Sequence, residues 1–280
     1  MALPLNMENV TEALSPVLQP FRVAGRVGRL SGRALLNVPA SLKYRSVIAN
    51  HISDVAVGSG AYIVGAGAVI VIVVMTAVVG IQTSLEGTKG LELIGAQDLV
   101  GFVSAYASIR EIAPLIAGVI FAAQLGAQFT AELGAMRISN EIDALEVMGL
   151  PSMRYLVSTR LIASMIVVLP LYVIGLYIML LTTKFTSTAL FHVPSGTYSE
   201  YFNLYLQRLD VFYSVVKIVI FITMVTLIHC TYGFYASGGP EGVGRAVGRS
   251  VRLSVTMIFI VNFILSMMFW GGGTSIRFSG

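Results

Sequence analysis

Charged residues are scarce in this sequence. Of its 280 residues, 18 are Lys or Arg and 14 are Asp or Glu, so that 11% of the chain is charged. A soluble domain carries roughly 25% charged residues. The hydrophobic share is 56% and the mean hydropathy is +0.82. Such a chain cannot cover a globular surface with charge, and the sequence therefore predicts an all-α integral membrane protein.

Residues and motifs that mark common catalytic and metal sites are also scarce. Cys230 is the single cysteine, which excludes an intrachain disulfide. His51, His192 and His229 lie in different segments, so no metal site is predicted. The motif GxxxxGK[ST] is absent, and the glycine-rich stretch 242–250 follows no predicted strand, so no ATP site is predicted in this chain. Gly-x-Ser-x-Gly is missing as well, and no nucleophilic triad stands out.

Long apolar runs predict five membrane-spanning helices. They lie at about 61–81, 99–130, 161–183, 217–235 and 253–271. About 20 helical residues cross a hydrocarbon core of roughly 30 Å, so each run is long enough for one crossing. The runs form a membrane domain at 56–280, preceded by a separate N-terminal segment at 1–55.

The N-terminal segment has the pattern of amphipathic helices. Arg22, Arg26, Arg29 and Arg33 repeat at steps of four, three and four, with apolar residues between them. This spacing predicts helices that lie in the membrane interface, with arginines at the headgroups. A solvated cytosolic tail is the alternative.

The distribution of basic residues predicts the orientation. With five spans, the N-terminal segment, the stretch between the second and third spans, and the loop before the last span lie on one side. They hold twelve Lys and Arg, against five on the other side. The positive-inside rule places the N-terminus in the cytoplasm and the C-terminus outside. No zinc-finger or RNA-binding signature accompanies the net charge of +4, so no nucleic-acid partner is predicted.

The polar stretch 131–160, between the second and third spans, predicts a short helix at about 139–149. Ser139 and Asn140 are suitable N-cap residues, and Glu141 and Asp143 place negative charge in the first turn. Gly149, followed closely by a proline, is a stop signal.

This short helix has one apolar stripe. Ile138, Ile142, Leu145 and Met148 recur at steps of four, three and three, while charged residues occupy much of the remaining surface. A helix of this kind between two spans is suited to press against a partner at the membrane surface. An ordinary capped loop helix is the alternative reading.

A second polar feature lies inside the second span. Arg110 and Glu111 each cost ~2.5–3.5 kcal/mol in the hydrocarbon core, so they need a partner or a wet cavity. Lys217, near the outer end of the fourth span, is a possible partner for Glu111. The group predicts either a polar wall or charge gate in a substrate path, or an ion pair that serves packing alone.

At the stretch 131–160 the sequence resembles a known family. ELGAMR at 132–137, EIDAL at 141–145, MG at 148–149, LV at 156–157 and Arg160 resemble the signature of the MlaE/YrbE permeases. REIAP at 110–114, Lys217 and GRA at 244–246 extend the likeness. HCTYGF at 229–234 and GGP at 238–240 resemble the B-type YrbE of actinobacterial Mce systems. Asn140 and Thr159 depart from the family pattern, which often has Glu or Gln at the first position and Pro at the second.

The resemblance implies a function. MlaE/YrbE proteins are membrane subunits of ABC transporters that move lipids together with MCE proteins, and import is expected by analogy with Mce systems. The short helix would be the coupling helix that contacts a cytoplasmic ATPase. The expected ATPase contacts are Arg137, Glu141, Asp143, Leu145 and Met148; the expected pathway or gating residues are Arg110, Glu111 and Lys217.

The resemblance also implies a set of partners. The chain would bind no cofactor itself, because ATP and Mg²⁺ would bind to a separate ATPase dimer. An A-type paralogue would complete a heterodimer, MCE proteins would bind outside, and the bacterial inner membrane would hold the complex. The rival hypotheses are a proton-coupled lipid transporter that uses Glu111, a membrane-embedded lipid enzyme, and a structural scaffold.

Overall fold

The computed structural model describes residues 25–57 and 67–271, and these residues form helices and short turns without a strand. We number the helices α1 to α9. Five of them, α3, α4, α6, α8 and α9, are long and apolar enough to cross a membrane, which confirms the predicted all-α membrane fold. The bounds are α1 25–41, α2 Arg45–Val57, α3 Gly67–Glu92, α4 Gln97–Ile138, α5 Glu141–Val147, α6 Met153–Ala189, α7 Ser195–Tyr205, α8 Arg208–Phe234 and α9 Gly239–Trp270.

The spanning helices are longer than the apolar runs that predicted them. Helix α4 begins at Gln97 and ends at Ile138, and α6 extends from Met153 to Ala189. Helices continue through polar ends because their backbone hydrogen bonds do not depend on hydropathy. Residues 61–66 of the predicted first span, and Arg22 of the N-terminal segment, lie outside the described residues.

The prediction of a loop before the last span is wrong. Residues from Gly239 onward form the first turns of α9, which is continuous to Trp270. The chain turns at Gly238 and Gly239, whose φ angles are 90° and 70°, a region that glycine enters without strain. Pro240 then occupies the first turn, where its missing N–H leaves no hydrogen bond unmade. Glycine inside a helix costs only about 1 kcal/mol, so the glycine-rich composition does not prevent the helix.

Helix α8 lies at the centre of the described core. It packs against α4, α6 and α9, with Phe121 and Phe129 of α4 buried beside Ile218 and Phe221 of α8. Helices α3 and α9 lie at the periphery. In the most apolar 18-residue stretch of each helix, 22% is buried inside the chain. Their outward faces carry large apolar side chains such as Val74 and Phe263, which suits contact with lipid or with another membrane protein.

Glycine allows α3 to approach α6 closely. A Cβ added at Gly80 would overlap the hydroxyl of Thr182 and the carbonyl oxygen of Met179. A Cβ added at Gly90, in the same helix, would meet no atom within 4 Å. We expect Gly80→Ala to lower the free energy of unfolding by about 2 kcal/mol, since overpacking of this kind costs roughly 1–3 kcal/mol.

The matched control is Gly90→Ala. It should be neutral or stabilising by up to about 1 kcal/mol, because alanine is the better helix former and has open space there. Unfolding of both variants by SDS in mixed micelles measures the difference. Equal stability of the two variants would contradict the close approach at Gly80.

Candidate functional site

Helix α5 is shorter than predicted and begins differently. It runs from Glu141 to Val147, and Asn140 before it has a left-handed backbone with φ 59° and makes no capping hydrogen bond through its side chain. Asn140 therefore stands at the predicted N-cap position but does not cap the helix with its side chain. Asparagine enters the left-handed region more easily than most residues, so Asn140 lets the chain reverse sharply after α4. Ser139 donates instead to the Glu141 side chain, at 2.7 Å between Oγ and Oε1.

The C-terminal stop signal is confirmed. The Gly149 N–H donates to the Glu146 carbonyl at 3.0 Å, and the Leu150 N–H donates to the Leu145 carbonyl at 3.0 Å. Gly149 has φ 76°. This pair of bonds is the Schellman motif, which satisfies the last carbonyls and fixes where the helix ends.

The predicted apolar stripe is split, because Ile138 is the last residue of α4 and is 37% exposed, while the rest of the stripe divides into an anchored part and an exposed part. Ile142 is fully buried in the core, and Leu145 is half-buried against it. Met148 is 66% exposed, and Val147, which the stripe did not include, is 88% exposed. Helix α5 is thus held by Ile142, and it presents two apolar side chains at its C-terminal tip.

Two acidic side chains of α5 are held in place by hydrogen bonds within the chain. Asp143 accepts from Arg137 at 2.6 Å between Oδ1 and Nη1, and both side chains are partly exposed. Glu146 accepts from Ser152 at 2.6 Å. An exposed ion pair such as that of Arg137 and Asp143 contributes at most about 1 kcal/mol, so its main effect is to fix the orientation of the Asp143 side chain.

A buried arginine joins the two helices that flank α5. Arg160 of α6 is 3% exposed, and its Nη2 lies 3.1 Å from Glu132 Oε2 in α4. Burial and the nearby positive charge of Arg160 lower the pKa of His51, in α2, to about 4. His51 is therefore neutral at pH 7 and adds no repulsion to Arg160.

The α1 helix and the α8–α9 turn lie at the same end of the molecule as α5. Arg154 donates to Asn37 of α1 at 2.7 Å, and Ser158 donates to the Ala34 carbonyl at 2.9 Å. A Cβ added at Gly134 of α4 would contact Val243 of α9. The basic segments that the sequence placed on one side therefore meet at one end of the fold.

A second polar site lies near the other end and begins with an ion pair that the sequence did not predict. Arg110 of α4 binds Asp210 of α8, with Nη2 2.8 Å and Nε 2.9 Å from Oδ2. Trp270 donates its indole N–H to Asp210 Oδ1 at 3.0 Å, and the Tyr106 ring lies 3.8 Å from the Arg110 Cζ. Asp210 stands two helical turns before Lys217, and this spacing is the one signal that could have found it.

The predicted pair of Glu111 and Lys217 is present. Lys217 Nζ lies 3.0 Å from Glu111 Oε1 and donates to Ser266 Oγ at 2.7 Å. It also donates to the Arg110 carbonyl at 2.8 Å. That carbonyl lies in the π-helical segment Ser104–Ile112 of α4, just before Pro114. Lys217 therefore supplies both a counter-charge and a hydrogen bond to the backbone of α4.

The two ion pairs, Arg110 with Asp210 and Glu111 with Lys217, bring together two positive and two negative charges. These four side chains are not equally buried. Lys217 is fully buried, whereas the Glu111 side chain is 39% exposed and accepts from Asn262 Nδ2 at 2.8 Å. Paired charges inside a membrane domain suit either a rigid joint between helices or a polar part of a pathway. In the described part of the chain, no group of three His, Cys, Asp or Glu residues could hold a metal ion.

The model of the permease family MlaE matches residues 57–268 of the chain. The chain belongs to the MlaE permease family. Two of its relatives are described as probable ABC transporter permease proteins. The one from Rickettsia bellii is 27% identical, with 89% of this chain and 94% of the relative covered. The one from Synechocystis is 29% identical, with 75% and 80% covered.

A chloroplast protein of Arabidopsis thaliana is also similar to this MlaE-family chain. It is named TRIGALACTOSYLDIACYLGLYCEROL 1 and is 28% identical over 200 residues. The match covers 71% of this chain and 57% of the Arabidopsis protein. The family match contains α5 and all four charges of the buried cluster, so both candidate sites belong to the part that is shared with the family.

Proposed function

We propose that this chain is the permease subunit of an ATP-driven lipid transporter that works with MCE proteins and imports its substrate. The observation that carries the proposal is the way in which α5 is anchored and exposed. It is anchored in the core by Ile142, ends in a fixed turn at Gly149, and presents Val147 and Met148 to solvent. A rigid helix with an exposed apolar tip can transmit movement from an ATPase to the spans that flank it.

ATP hydrolysis is assigned to another subunit. The sequence has no phosphate-binding loop, so ATP and Mg²⁺ would bind to a cytoplasmic ATPase dimer. A second permease chain, an A-type paralogue, would pair with this one. The peripheral helices α3 and α9, with exposed apolar faces, are the candidates for that contact.

A lipid substrate is supported by the large apolar side chains that the spanning helices expose. It is also supported by the name of the Arabidopsis relative, which includes the name of a lipid, trigalactosyldiacylglycerol. Fatty acids, sterols and phospholipids all suit apolar walls. In the proposed complex, α5 faces the cytoplasm of a bacterial inner membrane, and the buried charge cluster lies toward the outside. The count of basic residues supports this orientation.

Proton-coupled transport through Glu111 is the second candidate. The observation in its favour is the partial exposure of this carboxylate inside the membrane domain. A carboxylate within reach of water can bind and release protons during a transport cycle. This mechanism would need no ATPase and would leave the exposed tip of α5 without a role.

Purification from the native membrane in mild detergent, followed by reconstitution, tests the proposal. We expect an ATPase, a second five-span chain and MCE proteins to co-purify, and lipid movement in proteoliposomes to require ATP. Isolation of the chain alone, with lipid movement that follows an imposed proton gradient and is lost in Glu111→Gln, would support the second candidate instead.

A further inference from the structure

An arginine-lined cavity opens at the α5 end of the molecule. It has a volume of about 320 Å³ and lies between α1, the end of α8 and the start of α9. Arg26 approaches from α1, and Arg245 and Arg249 from α9; Tyr232 and Ser237 complete the polar lining. All three arginines are exposed, so a ligand can reach them.

A second cavity adjoins the first and extends its positive charge. Its volume is about 290 Å³, and it shares Arg26 and Tyr235 with the first while adding Arg29 and Arg33. The Arg26 Cζ lies 5.9 Å from the centre of the Tyr235 ring. Among the described residues, one arginine of this cleft has a carboxylate partner: Arg245 pairs with Glu241, and that pair is exposed. The cleft therefore has an excess of positive charge.

An apolar groove of about 410 Å³ lies between the same helices and is lined by α1, α8 and Met257 of α9. Val27 and Ser31 line it from α1, next to Arg26 of the charged cleft. On α8, residues Ile220, Met224 and Leu227 line the groove, and Thr231, one turn further, lines the charged cavity. Eleven residues separate the first and last of these positions, a rise of roughly 16 Å. One face of α8 therefore leads from an apolar groove to a cluster of arginines.

We propose that this composite surface binds one anionic phospholipid of the leaflet that surrounds the α5 end. The phosphate would lie among Arg26, Arg245 and Arg249, since the planar guanidinium group binds phosphate oxygens through paired hydrogen bonds. One acyl chain would follow the groove along α8. The groove favours a lipid over free phosphate, because a soluble anion makes no use of it. This site requires only that the chain spans a membrane, and it does not rest on coupling to an ATPase.

Retention of lipid by the purified chain tests the site. The chain is incubated in detergent with phosphatidylglycerol or with zwitterionic phosphatidylcholine, and bound lipid is counted by native mass spectrometry. We expect phosphatidylglycerol to be retained at least tenfold better than phosphatidylcholine. Arg249→Gln should lower this retention about tenfold, because a charge-assisted hydrogen bond is worth roughly that factor.

The matched control is Arg45→Gln, which removes the same charge from an exposed position of α2 that lines neither cavity. It should retain phosphatidylglycerol as the unchanged chain does. Equal losses in Arg249→Gln and Arg45→Gln would reduce the effect to general surface charge and overturn the site.

A second variant separates a lipid from a free anion. Met224→Trp narrows the groove and leaves every arginine in place, so we expect it to lose phosphatidylglycerol. Inorganic phosphate at millimolar concentration should not displace the lipid from the unchanged chain. Full retention in Met224→Trp together with displacement by inorganic phosphate would show a simple phosphate site and overturn the proposal. Neither outcome depends on recovery of an ATPase, so this proposal and the proposed function can fail separately.

Discussion

Met148→Asp is expected to release the ATPase from the complex while leaving the five spans folded. Met148 is 66% exposed and lies beyond the last turn of α5, so the chain's own core does not need it. In the proposed interface it would enter an apolar pocket of the ATPase, where an aspartate would be buried without a partner. Truncation of an interface hot spot costs at least about 2 kcal/mol, and a buried unpaired charge adds to that. We expect ATPase recovery to fall at least tenfold.

Co-purification of the ATPase, with size-exclusion chromatography of the variant to verify its fold, measures this effect. Leu93→Asp is the matched control, since Leu93 is 89% exposed in the turn between α3 and α4, at the opposite end from α5. The control should retain the ATPase. Normal ATPase recovery with Met148→Asp would remove α5 from the interface.

Leu145 is less suited than Met148 to a substitution that tests the ATPase interface. The apolar stripe predicted it as a contact residue, but it is half-buried against the chain's own core. An aspartate there would disturb the anchoring of α5 as well as any interface. The stripe identified which residues are apolar but could not assign them to the core or to a partner, because both choices give the same spacing.

The five spans could be predicted because length and hydropathy are properties of single segments. The start of α9 could not, since glycines and arginines at 242–252 are equally typical of a loop. The packing of α9 against α4 and α8 adds to the helix start at Pro240 and favours the helix there. Asn140 shows the same limit: it is a good N-cap by composition, and its left-handed backbone follows from the direction in which the chain must leave α4.

The charge cluster was predicted in part for a similar reason. Glu111 and Lys217 were visible as charges in apolar runs, so a need for partners was evident. Asp210 lies in the first turn of α8, where an acidic residue is common and predicts no buried ion pair. Its pairing with Arg110 depends on how α4 packs against α8, which no local pattern specifies.

Glu111→Gln is expected to lower the free energy of unfolding by about 3 kcal/mol. The loss arises mainly at Lys217, which is fully buried and would no longer have the carboxylate that compensates its charge. Removal of one partner of a buried pair costs roughly 3–5 kcal/mol, and the partial exposure of Glu111 places the expected value at the lower end. Unfolding by SDS in mixed micelles measures it. Glu200→Gln, at an exposed position of α7, should change stability by less than about 0.5 kcal/mol.

The double variant Glu111→Gln with Lys217→Met separates the two roles of the lysine. Removing both charges should restore most of the lost stability, because no buried charge is left unpaired. A deficit of about 1 kcal/mol should remain, since the Arg110 carbonyl loses the hydrogen bond that the Lys217 ammonium donates to it. Complete recovery would contradict that role of Lys217. Lipid transport by the double variant then shows whether the pair serves packing or the lipid pathway. Transport that returns together with stability assigns the pair to helix packing. Transport that stays lost in a stable double variant assigns Glu111 and Lys217 to the lipid pathway.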